Sequence, residues 1–140
     1  MIDIENKIFT EVYNAVHAKY ADADIRSEGV FEATKFPLVT FIEESNTTYT
    51  PSLDNDLTEH HASVMFECNV YCNDKKRKTT CKAIAQLIDD TMLGLKFTRS
   101  FFGQTPNQDQ TIYRMTLRYT AIVGEGIKSG NTTTYQMYRK

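Results

Sequence analysis

His61-Ala-Ser-Val-Met-Phe-Glu-Cys-Asn-Val-Tyr-Cys72 alternates without a break. Ala62, Val64, Phe66, Cys68, Val70 and Cys72 fall on one side and Ser63, Met65, Glu67, Asn69 and Tyr71 on the other. A side-chain period of two over this length is that of a strand with one face in a core. Gln110 to Val123 repeats the pattern, setting Tyr113, Met115, Leu117, Tyr119, Ala121 and Val123 against Ile112, Arg114, Thr116, Arg118, Thr120 and Ile122. Two long half-buried strands of this kind predict a mostly antiparallel sheet with one apolar face to be covered.

Between them, Asn73-Asp74 breaks the first strand. Thr79 to Leu95 takes a helical period through Cys81, Ile84, Leu87, Ile88, Thr91 and Leu95, stopping near Gly94. Lys96 to Phe102 reads as a short strand and Gly103 to Asp109 as a turn around Pro106-Asn107. Upstream, residues 3 to 20 read as an amphipathic helix: Ile4, Ile8, Val12 and Val16 recur four apart, and Asp3 is the N-cap candidate. Ala21 to Ser27 is a weak strand. Phe36 to Glu43 has apolar residues on both alternating faces, as an interior strand does.

The order helix, short strand, strand, long strand, helix, short strand, long strand lacks a regular βαβ alternation and predicts an α+β fold. A four- to five-stranded sheet would carry both helices on one face. Residues 1–124 form the expected single domain. Residues 44–59 are polar, contain Pro51 and show no period, so they read as an arm whose apolar anchors would be Tyr49 and Leu53. Residues 125–140 read as a flexible tail.

The chain has 140 residues, 41% hydrophobic and 24% charged, as soluble globular domains do. No apolar run approaches the roughly 18 residues of a spanning helix, and no signal-peptide pattern follows Met1. The net charge of −2 excludes a globally basic nucleic-acid binder. Three cysteines without an export signal suit free thiols in a reducing compartment.

Catalytic and metal chemistry find little support. Cys68 and Cys72 sit on one strand face roughly 13 Å apart along the chain, too far for one tetrahedral ion or a disulfide. Cys81 lies on the apolar stripe of its helix. His17, His60 and His61 accompany no Gly-x-Ser-x-Gly, phosphate loop or His-Glu-x-x-His. Asp54, Asp56, Asp89 and Asp90 read as solvated charge. No catalytic, metal or cofactor residues are expected. The basic run Lys75, Lys76, Arg77, Lys78 is a solvated loop or an anion or nucleic-acid contact, without the interleaved aromatics of single-strand binders. If both helices cover one sheet face, then Val39, Phe41, Met65, Tyr71, Ile112 and Ile122 lie on the other among Glu67, Asn69, Arg114 and Arg118. Such a mixed face is typical of a subunit interface, and Phe41, Glu67, Tyr71, Arg114 and Arg118 are its candidate contacts.

Particular stretches of the chain carry a resemblance. They are Phe36-Pro37 opening a strand, Ser45-Asn-Thr-Thr-Tyr49, Thr58-Glu59-His60 before the long strand, Asn69-Val70-Tyr71, Cys81-Lys-Ala-Ile84, Phe97-Thr-Arg99, Ile112-Tyr-Arg114 and Arg118-Tyr-Thr120. Together they resemble the tail terminator proteins of long-tailed bacteriophages, also labelled minor capsid or tail-to-head joining proteins, over most of the chain. The resemblance implies a virion protein of the tail or neck, assembled in the host cytoplasm. It would form a homohexameric ring that caps the tail tube, stops its polymerisation and presents a surface to the head-tail connector. Its partners would be itself, the tail tube protein and connector proteins, with DNA passing the pore without specific binding; no enzyme activity is implied. A neck or head-completion protein of the same particle, or a small cytoplasmic enzyme or ligand-binding domain, are the other readings.

Overall fold

In the computed structural model, which describes residues 2–29, 35–49, 61–129 and 132–138 (for 125–129 and 132–136 the backbone alone), the chain begins with α1 (Glu5–Lys19), β1 (Asp24–Arg26), β2 (Leu38–Thr48) and β3 (His61–Cys72). It continues through α2 (Arg77–Gly94), β4 (Thr98–Gln104), β5 (Tyr113–Ser129) and β6 (Thr132–Tyr138). All the strands join one sheet in the order β1-β2-β3-β5-β4, and β6 pairs β5 beyond the end of β4. Only β1 with β2 is parallel. The fold is therefore α+β, with six strands among the described residues where four or five were expected.

Both helices lie on one face: α1 packs against β2 and α2, and α2 against β3, β4 and β5. Ile8, Val12 and Val16 of α1 and Cys81, Ile84, Ile88 and Met92 of α2 meet the alternating apolar residues of β3 and β5 in one core. Its aromatic centre is Phe66, stacked on Phe41 with ring centroids 5.0 Å apart and meeting Phe97 edge-on at 5.6 Å. Phe41 and Val39 are thus fully buried on the helix side, which corrects their expected place on the opposite face. The cause is that β2 lies between β1 and β3 with apolar residues on both sides near its start, so period alone did not say which set faces the helices.

Two further expectations change. Residues 44–48 of the expected arm continue β2 against β3, and the Tyr49 amide donates to the His61 carbonyl at 2.9 Å. Leu53 and the rest of the arm lie outside the described residues. A bulge at Glu44 re-phases the strand, so that Glu43 pairs with Phe66 but Ser45 with Met65, and Asn46 reaches α1's approach to donate to the Ile2 carbonyl at 2.7 Å. The expected flexible tail is a hairpin: β5 runs on to Ser129 and β6 returns along it, with Met137 packed on the core. Its many Thr and Tyr residues suit a strand, and β5 offered a free edge to pair with.

A buried carboxylate helps tie α2 to the sheet. Asp89 is buried; its carboxylate accepts from the Tyr119 hydroxyl at 2.7 Å and from Arg99 at 2.9 Å, and Arg99 also lies 5.6 Å from the Phe102 ring centroid. Its expected role as solvated surface charge is thereby corrected. At the C-terminus of α2 the left-handed residue is Lys96, at φ 74°, two beyond Gly94. The Lys96 amide donates to the Leu93 carbonyl and the Phe97 amide to the Met92 carbonyl, both at 3.1 Å, the Schellman arrangement. Phe97 and Met92, at the two ends of the second bond, are fully buried.

Lys96→Gly should therefore stabilise the fold by about 1 kcal/mol, since glycine accepts this conformation without the Cβ penalty; a chemical-denaturation midpoint checks it. Ending the chain after Glu125 should lower Tm by roughly 5 °C through loss of the β6 pairing and of Met137, measurable by thermal melting.

Candidate functional site

The face of the sheet away from the helices is built by the second set of alternating residues. Along the β3–β5 ladder the directly opposed pairs on this side are Tyr71 with Arg114, Asn69 with Thr116, Glu67 with Arg118, Met65 with Thr120, Ser63 with Ile122 and His61 with Gly124. Opposed side chains are close enough to interact, and here nearly every polar one does. Arg118 donates to one Glu67 oxygen through Nε and Nη2, at 3.3 and 3.2 Å, and its guanidinium lies 5.7 Å from the Phe101 ring centroid. The Arg114 guanidinium lies 5.5 Å from the Tyr71 ring centroid while its Nε donates to Asn69 Oδ1 at 2.9 Å. That oxygen also accepts from the Thr116 hydroxyl at 2.7 Å, which in turn accepts from Thr105 at 2.6 Å. Asn69 and Thr116 are buried within this chain of bonds.

Four of the five expected interface residues, Glu67, Tyr71, Arg114 and Arg118, thus share one surface, and Phe41 does not. Sequence reading missed two of their neighbours. Phe101, 42% exposed, is turned to this side by a bulge between Arg99 and Phe101. Glu44, brought across by the bulge in β2, hydrogen-bonds to Glu67. Sequence alternation cannot show a bulge, because one extra residue inverts the parity of everything after it.

At one end of this face Tyr49, His61, Ile122 and Tyr138 line a cleft of about 250 Å³. His61 meets Tyr49 and Tyr138 with ring centroids 6.4 and 5.9 Å apart. A Cβ at Gly124 would come within 2.7 Å of the imidazole, so any other residue there would displace the His61 ring from its place between Tyr49 and Tyr138. Tyr49, the one expected arm anchor among the described residues, is therefore a wall of this cleft. At the opposite end of β3, Lys75, Lys76, Arg77 and Lys78 line a concavity of about 460 Å³ with Thr79 and Tyr113.

The other chemistry-bearing groups are tied into the fold. Cys68, Cys72 and Cys81 are buried free thiols. Burial pushes the Cys68 thiol up, and the Cys72 thiol followed by burial does the same for Cys81, whose Sγ lies 3.1 Å from the Val70 carbonyl. Thiols held in this state are poor nucleophiles. Asp3, Glu5 and Glu43 gather at the start of α1, where burial raises the Glu43 carboxyl above its ordinary value. Among the described residues no helix is long and apolar enough to cross a membrane. Comparison with models of protein families finds no match, and comparison with curated proteins finds none either.

The Glu44 carboxyl is raised, first by its hydrogen bond with Glu67, then by burial and by the Glu67 charge, with Arg118 opposing. A carboxyl raised in the folded state holds its proton more tightly there than in the unfolded chain, so its contribution to stability falls as pH rises from the ordinary 4.5 through the folded value. Glu44→Gln, which keeps a donor to Glu67 without the second charge, should leave stability unchanged at pH 4 and raise it at pH 7. Urea midpoints at the two pH values check this.

Proposed function

We propose that this chain is a structural, ring-forming subunit of the tail-terminator kind, acting by binding and not by catalysis. The observation that supports the reading most is that, among the described residues, helices cover the sheet on one side only, with an ordered, mixed surface on the other. Met65, Ile42 and Ile122 are partly exposed there, and Phe101 is largely so. Arg114 and Arg118 are already oriented by Asn69, Tyr71, Glu67 and Phe101, so little side-chain freedom remains to be lost on association. Apolar centres with pre-ordered arginine and aromatic groups are what subunit interfaces use.

The terminator identity itself rests on the resemblance of the sequence. In that role six copies close a ring on the last layer of a tail tube, end its growth and offer the opposite surface to the head-tail connector. The particle is a bacteriophage virion, and DNA passes through the pore.

Native mass spectrometry should find a six-copy species for the wild type. Arg114→Glu and Arg118→Glu should weaken assembly at least tenfold, equivalent to about 1.4 kcal/mol, while circular dichroism shows a folded subunit. Particles lacking the protein should carry tails of uncontrolled length; tails of normal length that fail to join heads would instead favour the neck protein.

A further inference from the structure

Of the sixteen Lys and Arg residues, five (Lys75, Lys76, Arg77, Lys78 and Lys82) occupy eight consecutive positions where β3 gives way to α2. All five are exposed. The other arginines among the described residues are neutralised or stacked: Arg26 on Asp24, Arg99 on Asp89, Arg118 on Glu67, Arg114 over Tyr71. The five have no such partner among the described residues. The acid beside them, Asp74, accepts from the Thr80 hydroxyl at 3.0 Å, and its carbonyl accepts from the Arg77 amide at 3.1 Å. It is committed to shaping the turn.

This placement works against the free fold. The first turn of α2 holds no acidic residue, and Arg77 and Lys78 stand where the helix macrodipole is itself positive. In a chain of net charge −2 the result is a local concentration of positive charge around a concavity of about 460 Å³ that Thr79 and Tyr113 also line.

We infer that the Lys75–Lys82 patch is a sequence-independent contact for the phosphate backbone of duplex nucleic acid. Duplex DNA carries a charge about every 1.7 Å of axis, so five cations within eight consecutive residues face several phosphates at once. Flexible lysine stems and one guanidinium suit phosphates whose bases are not read. Asn73, Asp74, Thr79 and Thr80, beside and between the cations, are polar, and Phe36 and Pro37, which line a pocket with Asn73, Asp74 and Thr80, are half-buried rather than free to enter a lipid headgroup layer. A single half-buried Tyr113 is no stacking platform for unpaired bases. The inference stands on this charge pattern and is independent of ring formation, since a lone subunit carries the whole patch.

The test is fluorescence anisotropy of a labelled 20-base-pair DNA duplex titrated with the full chain between 50 and 200 mM KCl. Neutralising about four phosphates gives a slope of log K against log salt near −3.6, a loss of roughly a hundredfold across that range. The combined variant Lys75→Ala, Lys76→Ala, Arg77→Ala, Lys78→Ala should bind at least tenfold more weakly at 50 mM, with its fold checked by circular dichroism. Lys76→Ala alone should make the slope shallower by about 0.9, and Lys19→Ala, an exposed lysine elsewhere, should change nothing. The inference is overturned if the wild type does not bind the duplex at 50 mM, or if the combined and single variants bind like the wild type. It is equally overturned if single-stranded DNA or phosphatidylserine vesicles bind more tightly than the duplex.

Discussion

The β3–β5 ladder is the constraint on which the rest of the molecule depends. Every residue of β3 from His61 to Cys72 has a partner on β5, from Gly124 back to Tyr113, without a register shift. Since the side-chain period is two, this single register fixes both faces at once. It sends Val64, Phe66, Cys68, Leu117, Tyr119 and Ala121 under the helices and aligns Glu67 with Arg118 and Tyr71 with Arg114 on the other side. A slip of one residue would bury the ionic set and expose the aromatic core, so the core and the candidate interface are specified together.

The two faces are organised by different physics. The helix side is held mainly by apolar burial, with polar contacts where Asp89, Tyr119 and Arg99 satisfy each other and where the Cys81 thiol donates to the Val70 carbonyl. Burial and the Asp89 carboxylate hold the Tyr119 phenol protonated, so it remains a donor to that carboxylate. The uncovered side is held by cross-strand pairs whose members leave part of their surface to solvent. Such a face costs the isolated subunit exposed apolar area at Phe101, Met65 and Ile122, and association is the direct way to remove it.

Much of this was legible in the sequence because the ladder is regular. The clean alternation of residues 61–72 and 110–123 predicted both strands, the second three residues too early at its start, and the parity of Glu67, Tyr71, Arg114 and Arg118. The four-residue spacing of Ile8, Val12 and Val16 predicted α1, and the stripe from Cys81 predicted α2. What was missed lies where local pattern is broken or two-sided. Phe41 sits in a strand apolar on both faces; Glu44 and Phe101 are re-aimed by bulges. Asp89 is read as surface until its distant partners Tyr119 and Arg99 are known. β6 is mostly Thr and Tyr, residues of high strand propensity without an apolar alternation, and the free edge of β5 beyond β4 makes it a strand.

The central claim is that the uncovered face is buried between copies of the chain. Hydroxyl-radical footprinting of Met65 across a concentration series tests it most directly, because Met65 lies on that face while Met92 and Met115 lie in the core. The account predicts that Met65 oxidation falls with rising protein concentration as subunits associate, with Met92 and Met115 protected throughout. Oxidation of Met65 that stays constant from dilute to concentrated protein would contradict it.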